Sequence, residues 1–355
     1  MFRGNKGEWS EVYALLKLLG DGIVYSGNDD LTANKDLFFP IQRIVRNENE
    51  GIFEYEIKEK MIEVHGGQKI IKIPPKKILE ISKQLFSSIQ EADGTFTLPD
   101  IEVFLHSIHC YSLKAKSVDK TDIRLFIHDI RTRLSHLLGF SIKSQLGSAS
   151  TLFNSNKNGT NFKFLLSGEI NDKTIQTVNE TRKFYEKFEI LRSLNIEAKF
   201  VEVKSSVFKN NLILIDSNLP EIIGNLVLQF YSSQDSTIAK LTETLTEKNP
   251  IRFDLNSGHD FYSHKIKRFL SDIALGFTPG KNWNGKYDAN GGYLIVKNDG
   301  DIICYHIYDR TQFEDYMFNN TKLDTPSPNR HVFGNIYQEN SNHYIDLNLQ
   351  IRFIK

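Results

Sequence analysis

Near the start of the chain, apolar positions recur with the period of a helix. Glu8 and, from one turn on, the apolar Val12, Leu15 and Leu19 fall at i, i+4, i+7 and i+11, one face of a helix over residues 8–19. Glu8 and Glu11 stand in its first turn, where the helix dipole favours carboxylates. Gly20, Gly22 and Gly27 end it and leave a short strand in DGIVYSG. The spacing then shifts to period two. FFPIQRIVR (38–46) and FEYEIKEKMIEV (53–64) predict two strands, followed by a turn at His65-Gly66-Gly67. Pro74-Pro75 introduce a helix over 76–91 with Ile78, Ile81, Leu85 and Ile89 on one stripe, and Pro99 opens another through His109.

Alternation returns at Thr121–Ile130, with Ile123, Leu125 and Ile127 on one face. A loop is expected over Arg131–Leu138, then a short strand at Gly139–Ser144. SASTLFNSNKNGTN (148–161) is polar and rich in breakers, hence a loop, and Phe162–Leu166 is the next strand. A helix is predicted over 172–194, strands in VEVKSS and NLILIDS, and one long helix or two over 219–247. In the last third, GGYLIVKNDGDIICYHIY reads as a hairpin turning at Asn298-Asp299-Gly300. YIDLNLQIRF alternates and predicts a terminal strand.

Length and composition narrow the class. A chain of 355 residues suggests two domains. Hydrophobic content of 40% and charged content of 25% are those of an ordinary soluble protein. Lys+Arg and Asp+Glu both number 44, so net charge makes no global case for a nucleic-acid partner, though a local groove can still be basic. Cys110 and Cys304 sit among apolar residues without zinc-type spacing and read as buried free thiols. The polar, acidic N-terminus does not resemble a signal peptide, and no apolar run reaches the ~20 residues of a membrane span. A reducing cytoplasm is the expected location.

The stretch KTDIRLFIHDIRTRLSHLLGFSIKSQLG (120–147) carries the chemistry. Asp122 opens one strand, and Lys143 stands between small polar residues on the next. Phosphodiester hydrolysis needs an activated water and stabilisation of developing negative charge. Mg²⁺ held by carboxylates can supply the first and a lysine the second. SIKS places a charge inside an otherwise apolar strand, and the Gly- and Ser-rich loop after it suits close approach of a phosphate backbone.

TDIRLFI…GFSIKSQLG resembles the PD-(D/E)xK nuclease motif, in which an Asp opens one strand and acid-x-Lys lies on the next. Two positions depart from it: Ser141 replaces the acid, and no proline precedes Asp122. The superfamily often places a helical Glu beside the site, which implies Glu11 or Glu8, with Glu11 preferred, as a second metal ligand beside Asp122. Gln145, two residues after Lys143 on the same face, is expected to assist as a neutral ligand or to position water. GNKGEWSEVYALLKLL, GFSIKSQLGSASTLFN and GKYDANGGYLIVKNDGDIICYHIYDRTQFEDYMFNNT resemble, in order, blocks of HpaII-type restriction endonucleases. The resemblance implies an α/β fold: a restriction-endonuclease-like core with a central mixed sheet flanked by helices, plus a C-terminal α+β region. It also implies an Mg²⁺-dependent type II deoxyribonuclease, cutting double-stranded DNA at CCGG alongside a DNA methyltransferase. A catalytic core over 1–170 and a DNA-reading region over 171–355 are expected, with monomer and homodimer both open.

Candidates for DNA contact are Ser144, Ser148 and Lys157 in and after the active strand. Lys265, in the basic cluster HKIKR, is another. Lys281 and Lys286 interleave with Trp283 and Tyr287 in a glycine-rich loop, and Arg330 lies in SPNRHVFGN. Two rivals stand beside the nuclease: a non-catalytic DNA-binding protein, favoured by Ser141, and a nuclease acting on another nucleic acid.

Overall fold

A computed structural model describes residues 1–28, 30–114, 120–156 and 159–355. In chain order, a first stretch holds β1 (Gly4–Asn5), α1 (Lys6–Asp21), β2 (Ile23–Gly27), β3 (Ala33–Asn47), β4 (Ile52–Ile57), β5 (Ile62–His65), β6 (Ile71–Ile73), α2 (Pro75–Glu91), β7 (Thr95–Phe96), α3 (Pro99–Ser107), β8 (Ile123–Asp129) and β9 (Leu134–Ser144). A second holds β10 (Thr151–Phe153), β11 (Asn161–Ser167), α4 (Asp172–Glu180), α5 (Phe184–Ser193), β12 (Glu197–Val203), α6 (Ser206–Ile215), α7 (Leu219–Ser232), α8 (Ile238–Lys248) and α9 (Phe261–Leu275). The chain ends with β13 (Gly292–Val296), β14 (Ile302–His306), α10 (Arg310–Asn319), β15 (Thr321–Leu323), α11 (Pro328–His331), β16 (Ile336–Glu339), β17 (Asn342–Asn348) and β18 (Ile351–Phe353).

These elements form two compact units, each discontinuous in sequence. The first takes residues 1–150 and 287–316. Its sheet has nine strands in the order β2-β14-β13-β9-β8-β3-β4-β5-β6. The sheet is mixed: β13 runs parallel to β9 and β14 parallel to β2, while β8 and β9 are antiparallel, with Ile123 opposite Phe140. The second unit takes residues 151–286 and 317–354, with a four-stranded sheet, β12-β11-β17-β16, and a three-stranded one, β10-β18-β15. No helix among the described residues is long and apolar enough to cross a membrane.

In the first unit the decisive helix is α1. Asn5 accepts the Glu8 N–H, and the Glu8 side chain accepts the Asn5 N–H, which closes a capping box. Gly22, at φ 67°, ends the helix in the left-handed region. Between those caps Trp9, Val12, Leu15, Leu16 and Leu19 are fully buried, in one core with Leu125 of β8 and Phe140 of β9. The β13–β14 hairpin is fixed to the same helix. Gly300 holds φ 88° in the turn, and its carbonyl accepts the Tyr13 hydroxyl at 2.5 Å. A side chain there would meet that hydroxyl at 2.9 Å.

Five local expectations are corrected. The loop over Arg131–Leu138 is only a turn of a few residues, because cross-strand pairing continues to Asp129 opposite Leu134, leaving Leu134 and Leu137 exposed on the strand. FEYEIKEKMIEV folds as two strands, since its charged Lys58-Glu59-Lys60 run bends where Lys58 N–H meets the Met61 carbonyl. The helix over 172–194 breaks at Thr181, which is extended. NLILIDS is helical: Ser205 caps α6 through the Phe208 N–H, and Phe208 and Leu212 bury one stripe while Leu214 is exposed. The terminal strand divides into β17 and β18, which belong to different sheets. Leu15, with no exposed surface in α1, supports the first core; Leu15→Ala is expected to cost about 3 kcal/mol in urea unfolding, and a loss under about 1 kcal/mol would contradict this packing.

Candidate active site

The site is built where β8 begins and β9 ends. Asp122, just before β8, donates its N–H to the Phe140 carbonyl at 2.9 Å. Its Oδ2 accepts the Ile142 N–H at 2.7 Å and the Ser141 hydroxyl at 3.0 Å. The serine in place of the expected acid thus orients Asp122. Tyr293, opposite Ser141 on the parallel strand β13, hydrogen-bonds to the same serine, and burial pushes its phenol pKa far up. Lys143, two residues along β9, holds its Nζ 5.3 Å from the centre of the Tyr293 ring. Burial lowers its ammonium pKa, while the charges of Asp122 and Glu11 oppose that shift.

Glu11 reaches this group from α1. Its carboxyl is pushed up to about 8, first by burial and then by the charge of Asp122, against the pull of Lys114, Arg46 and Lys143. Helix and strand are also linked directly: the Ser10 and Ser144 hydroxyls lie 2.8 Å apart. Glu8 is otherwise engaged, in the capping box and in an ion pair with Lys114 at 3.3 Å. The fold therefore brings Asp122, Lys143 and Glu11 together.

Gln145 lies one residue past β9. Its side-chain oxygen accepts the Asn298 N–H at 3.3 Å, at the β13–β14 turn. Lys120 went unremarked in the sequence. Burial, followed by the neighbouring charge of Lys143, pushes its ammonium down to about 8, with Asp288 opposing. Its position two residues before Asp122 was the only available signal. Ser144 pairs with Ser10 and accepts the Leu146 N–H at 3.1 Å, and Ser148 is exposed. Lys157 lies outside the described residues.

The remaining DNA-contact candidates belong to the second unit. Lys265 is ion-paired with Asp216. Lys281 and Lys286 are exposed on a loop ordered by Asn211, which donates to the Lys281 carbonyl at 2.8 Å and accepts the Trp283 N–H at 3.1 Å. The Trp283 indole donates to the Lys286 carbonyl at 3.0 Å and its ring meets Phe277 edge-on, so the aromatic organises this loop. Arg330 is exposed in α11.

Two neighbouring carboxylates, one held protonated near neutrality, are a donor set short of positive charge. Hard oxygen ligands of this kind fit a divalent cation such as Mg²⁺. Glu56, Glu63 and His65 also cluster, but Lys58 and Lys72 already neutralise that group and hold Glu63 down to about 2.

Acid and lysine converging at strand ends of a mixed α/β sheet are the equipment of a hydrolytic nuclease. The HpaII restriction endonuclease family model matches residues 5–353, and the chain belongs to that family of site-specific DNA endonucleases. It is 44% identical to the type II restriction enzyme HpaII of Haemophilus parainfluenzae over 99% of each chain. No solved structure matches it significantly.

The folded protein keeps a proton on Glu11 that the unfolded chain releases near 4.5. Its destabilising effect is absent below that value, grows as pH rises, and is complete above about 8. In EDTA, Glu11→Gln should therefore gain stability over wild type progressively across this range, by a few kcal/mol in urea unfolding at the alkaline end. A difference independent of pH would contradict the assigned surroundings of Glu11.

Proposed function

We propose that this protein hydrolyses both strands of DNA at CCGG, the target implied by the family resemblance, using Mg²⁺ held by Asp122 and Glu11. The observation that carries the mechanism is the convergence of Glu11 on Asp122 and Lys143 from a different element. When bound, the cation supplies Lewis acidity toward the phosphate and lowers the pKa of water. The protein's own groups do the positioning. The Ile142 N–H and the Ser141 hydroxyl fix the Asp122 carboxylate by one oxygen, which leaves the other, with no hydrogen bond among the described residues, to face the cation. Glu11 releases its proton as positive charge arrives. Lys143, held against Tyr293 in a low-dielectric setting, directs its ammonium at a non-bridging phosphate oxygen, where developing charge is worth more than in water. Lys120 adds positive potential on the same side. Gln145, bonded to the hairpin turn, supports the strand end from which Lys143 projects.

Ser141 is the feature that would favour a DNA-binding protein that does not cut. Its hydrogen bond to Asp122 gives it a positioning task within a cutting site instead. A DNA methyltransferase modifying the same sequence is the functional partner this reading requires. CCGG is self-complementary, so a two-fold pair of chains would offer one site to each strand.

Pure protein incubated with plasmid and Mg²⁺ should yield discrete fragments whose sequenced ends fall at CCGG. Lys143→Ala should lower cutting by at least about 100-fold with duplex binding largely retained. Intact plasmid with every divalent metal, or wild-type cutting by the alanine variant, would overturn the reading.

A further inference from the structure

The second unit contains a cavity of about 700 Å³ that the catalytic chemistry does not use. One wall is Phe333, Gly334 and Asn335, the end of the SPNRHVFGN segment; another is Arg182, Phe184 and Lys187 around the start of α5. Lys187 is the unusual member, only 4% exposed. Its Nζ donates to the Gly334 carbonyl at 2.6 Å and lies 3.5 Å from the Asn335 side-chain oxygen. No carboxylate among the described residues pairs with it. Burial pushes its ammonium pKa down, and an anion entering the cavity would stabilise the charged form.

The surroundings are assembled to keep that cation in place. Gly334 has φ 89°, and a side chain on it would strike the Phe184 ring at 2.6 Å. Phe184 stacks on Phe333 at 5.5 Å and lies beneath the Lys187 ammonium at 5.5 Å. Asn179 clamps the next residue, Ile336, by both its N–H and its carbonyl, at 2.7 and 3.1 Å. Val332, 57% exposed at the rim, caps α11 at φ 52°, its N–H donating to the Pro328 carbonyl. Three cations line the cavity, Arg182, Lys187 and Lys204, against two carboxylates, Glu180 and Asp346. Asp346 is already satisfied by Lys204 at 2.6 Å and the Tyr337 hydroxyl at 2.9 Å. Arg182 is exposed and makes no ion pair among the described residues.

We propose that this cavity is a nucleotide site of the DNA-reading surface: it receives a backbone phosphate of the duplex against Lys187 and Arg182, with Asn329 and Asn335 in its lining to meet a base edge and Phe184 supplying an apolar floor. The inference rests on the DNA-endonuclease reading and adds to it a specificity-determining position. Phosphate beside a base is also the chemistry of a free nucleotide, and the test separates the two.

The experiment measures binding of a fluorescent CCGG duplex by anisotropy, with Ca²⁺ replacing Mg²⁺, across a salt series. Lys187→Met with Arg182→Gln should weaken binding by about ten-fold or more and flatten the log–log salt slope by about 1–2, as expected for lost phosphate contacts. Because Lys187 is buried, Asn329→Asp serves as a second variant: it sets a negative charge on the exposed rim and should weaken binding by a similar factor with an unchanged melting temperature. Wild-type affinity and slope in folded variants would overturn the inference and leave the endonuclease reading standing. Displacement of the duplex by equimolar deoxynucleoside monophosphate would overturn the assignment to DNA. A wild-type protein that neither binds nor cuts the duplex would overturn both.

Discussion

Asp122 and Glu11 are two acids brought together in a partly buried place, and the candidate site of the first unit is arranged around the repulsion between them. Burial first, and then the charge of Asp122, raise the free energy of ionising Glu11. Asp122 is oriented by two donors on one oxygen, from Ile142 and Ser141. Glu11 accepts no such hydrogen bond among the described residues, and burial makes it keep its proton to about 8. Positive charge is kept near but incomplete: Lys143 is itself desolvated, and Lys114 and Arg46 act as neighbouring charges. In the proposed function, a divalent cation held by both carboxylates would relieve this tension.

The scaffold holds that tension through contacts distant in sequence. The capping box of Asn5 and Glu8 fixes where α1 starts, and the apolar stripe from Trp9 to Leu19 fixes its roll on the sheet. That roll turns Glu11 toward the strand ends and brings Ser10 to Ser144. The β13–β14 hairpin completes the site from the C-terminal third, as Tyr293 backs both Ser141 and Lys143 while its turn is bound to Tyr13.

Much of this was legible in the chain. Asp122, Lys143 and the Asn298-Asp299-Gly300 turn carry local signals, and α1 shows its caps and stripe. Other parts needed tertiary information. Ser141 reads as a missing acid until its hydroxyl is seen to donate a hydrogen bond to Asp122. Lys120 is an ordinary lysine until burial beside Lys143 changes its pKa. NLILIDS reads as a strand because a continuous apolar run has no period, and the cap at Ser205 marks the helix instead. Lys187 carries no signal at all, since its lack of a counter-charge depends on which acids the fold leaves distant from it.

The most direct test of the paired-carboxylate account is calorimetric titration of Mn²⁺ into the protein at pH 7 in buffers of different ionisation enthalpy. The account predicts release of close to one proton per ion bound, because Glu11 must give up its proton, with that release lost in Glu11→Gln and the affinity lowered in both Glu11→Gln and Asp122→Asn. Binding with no proton release, or binding indifferent to Glu11, would contradict it.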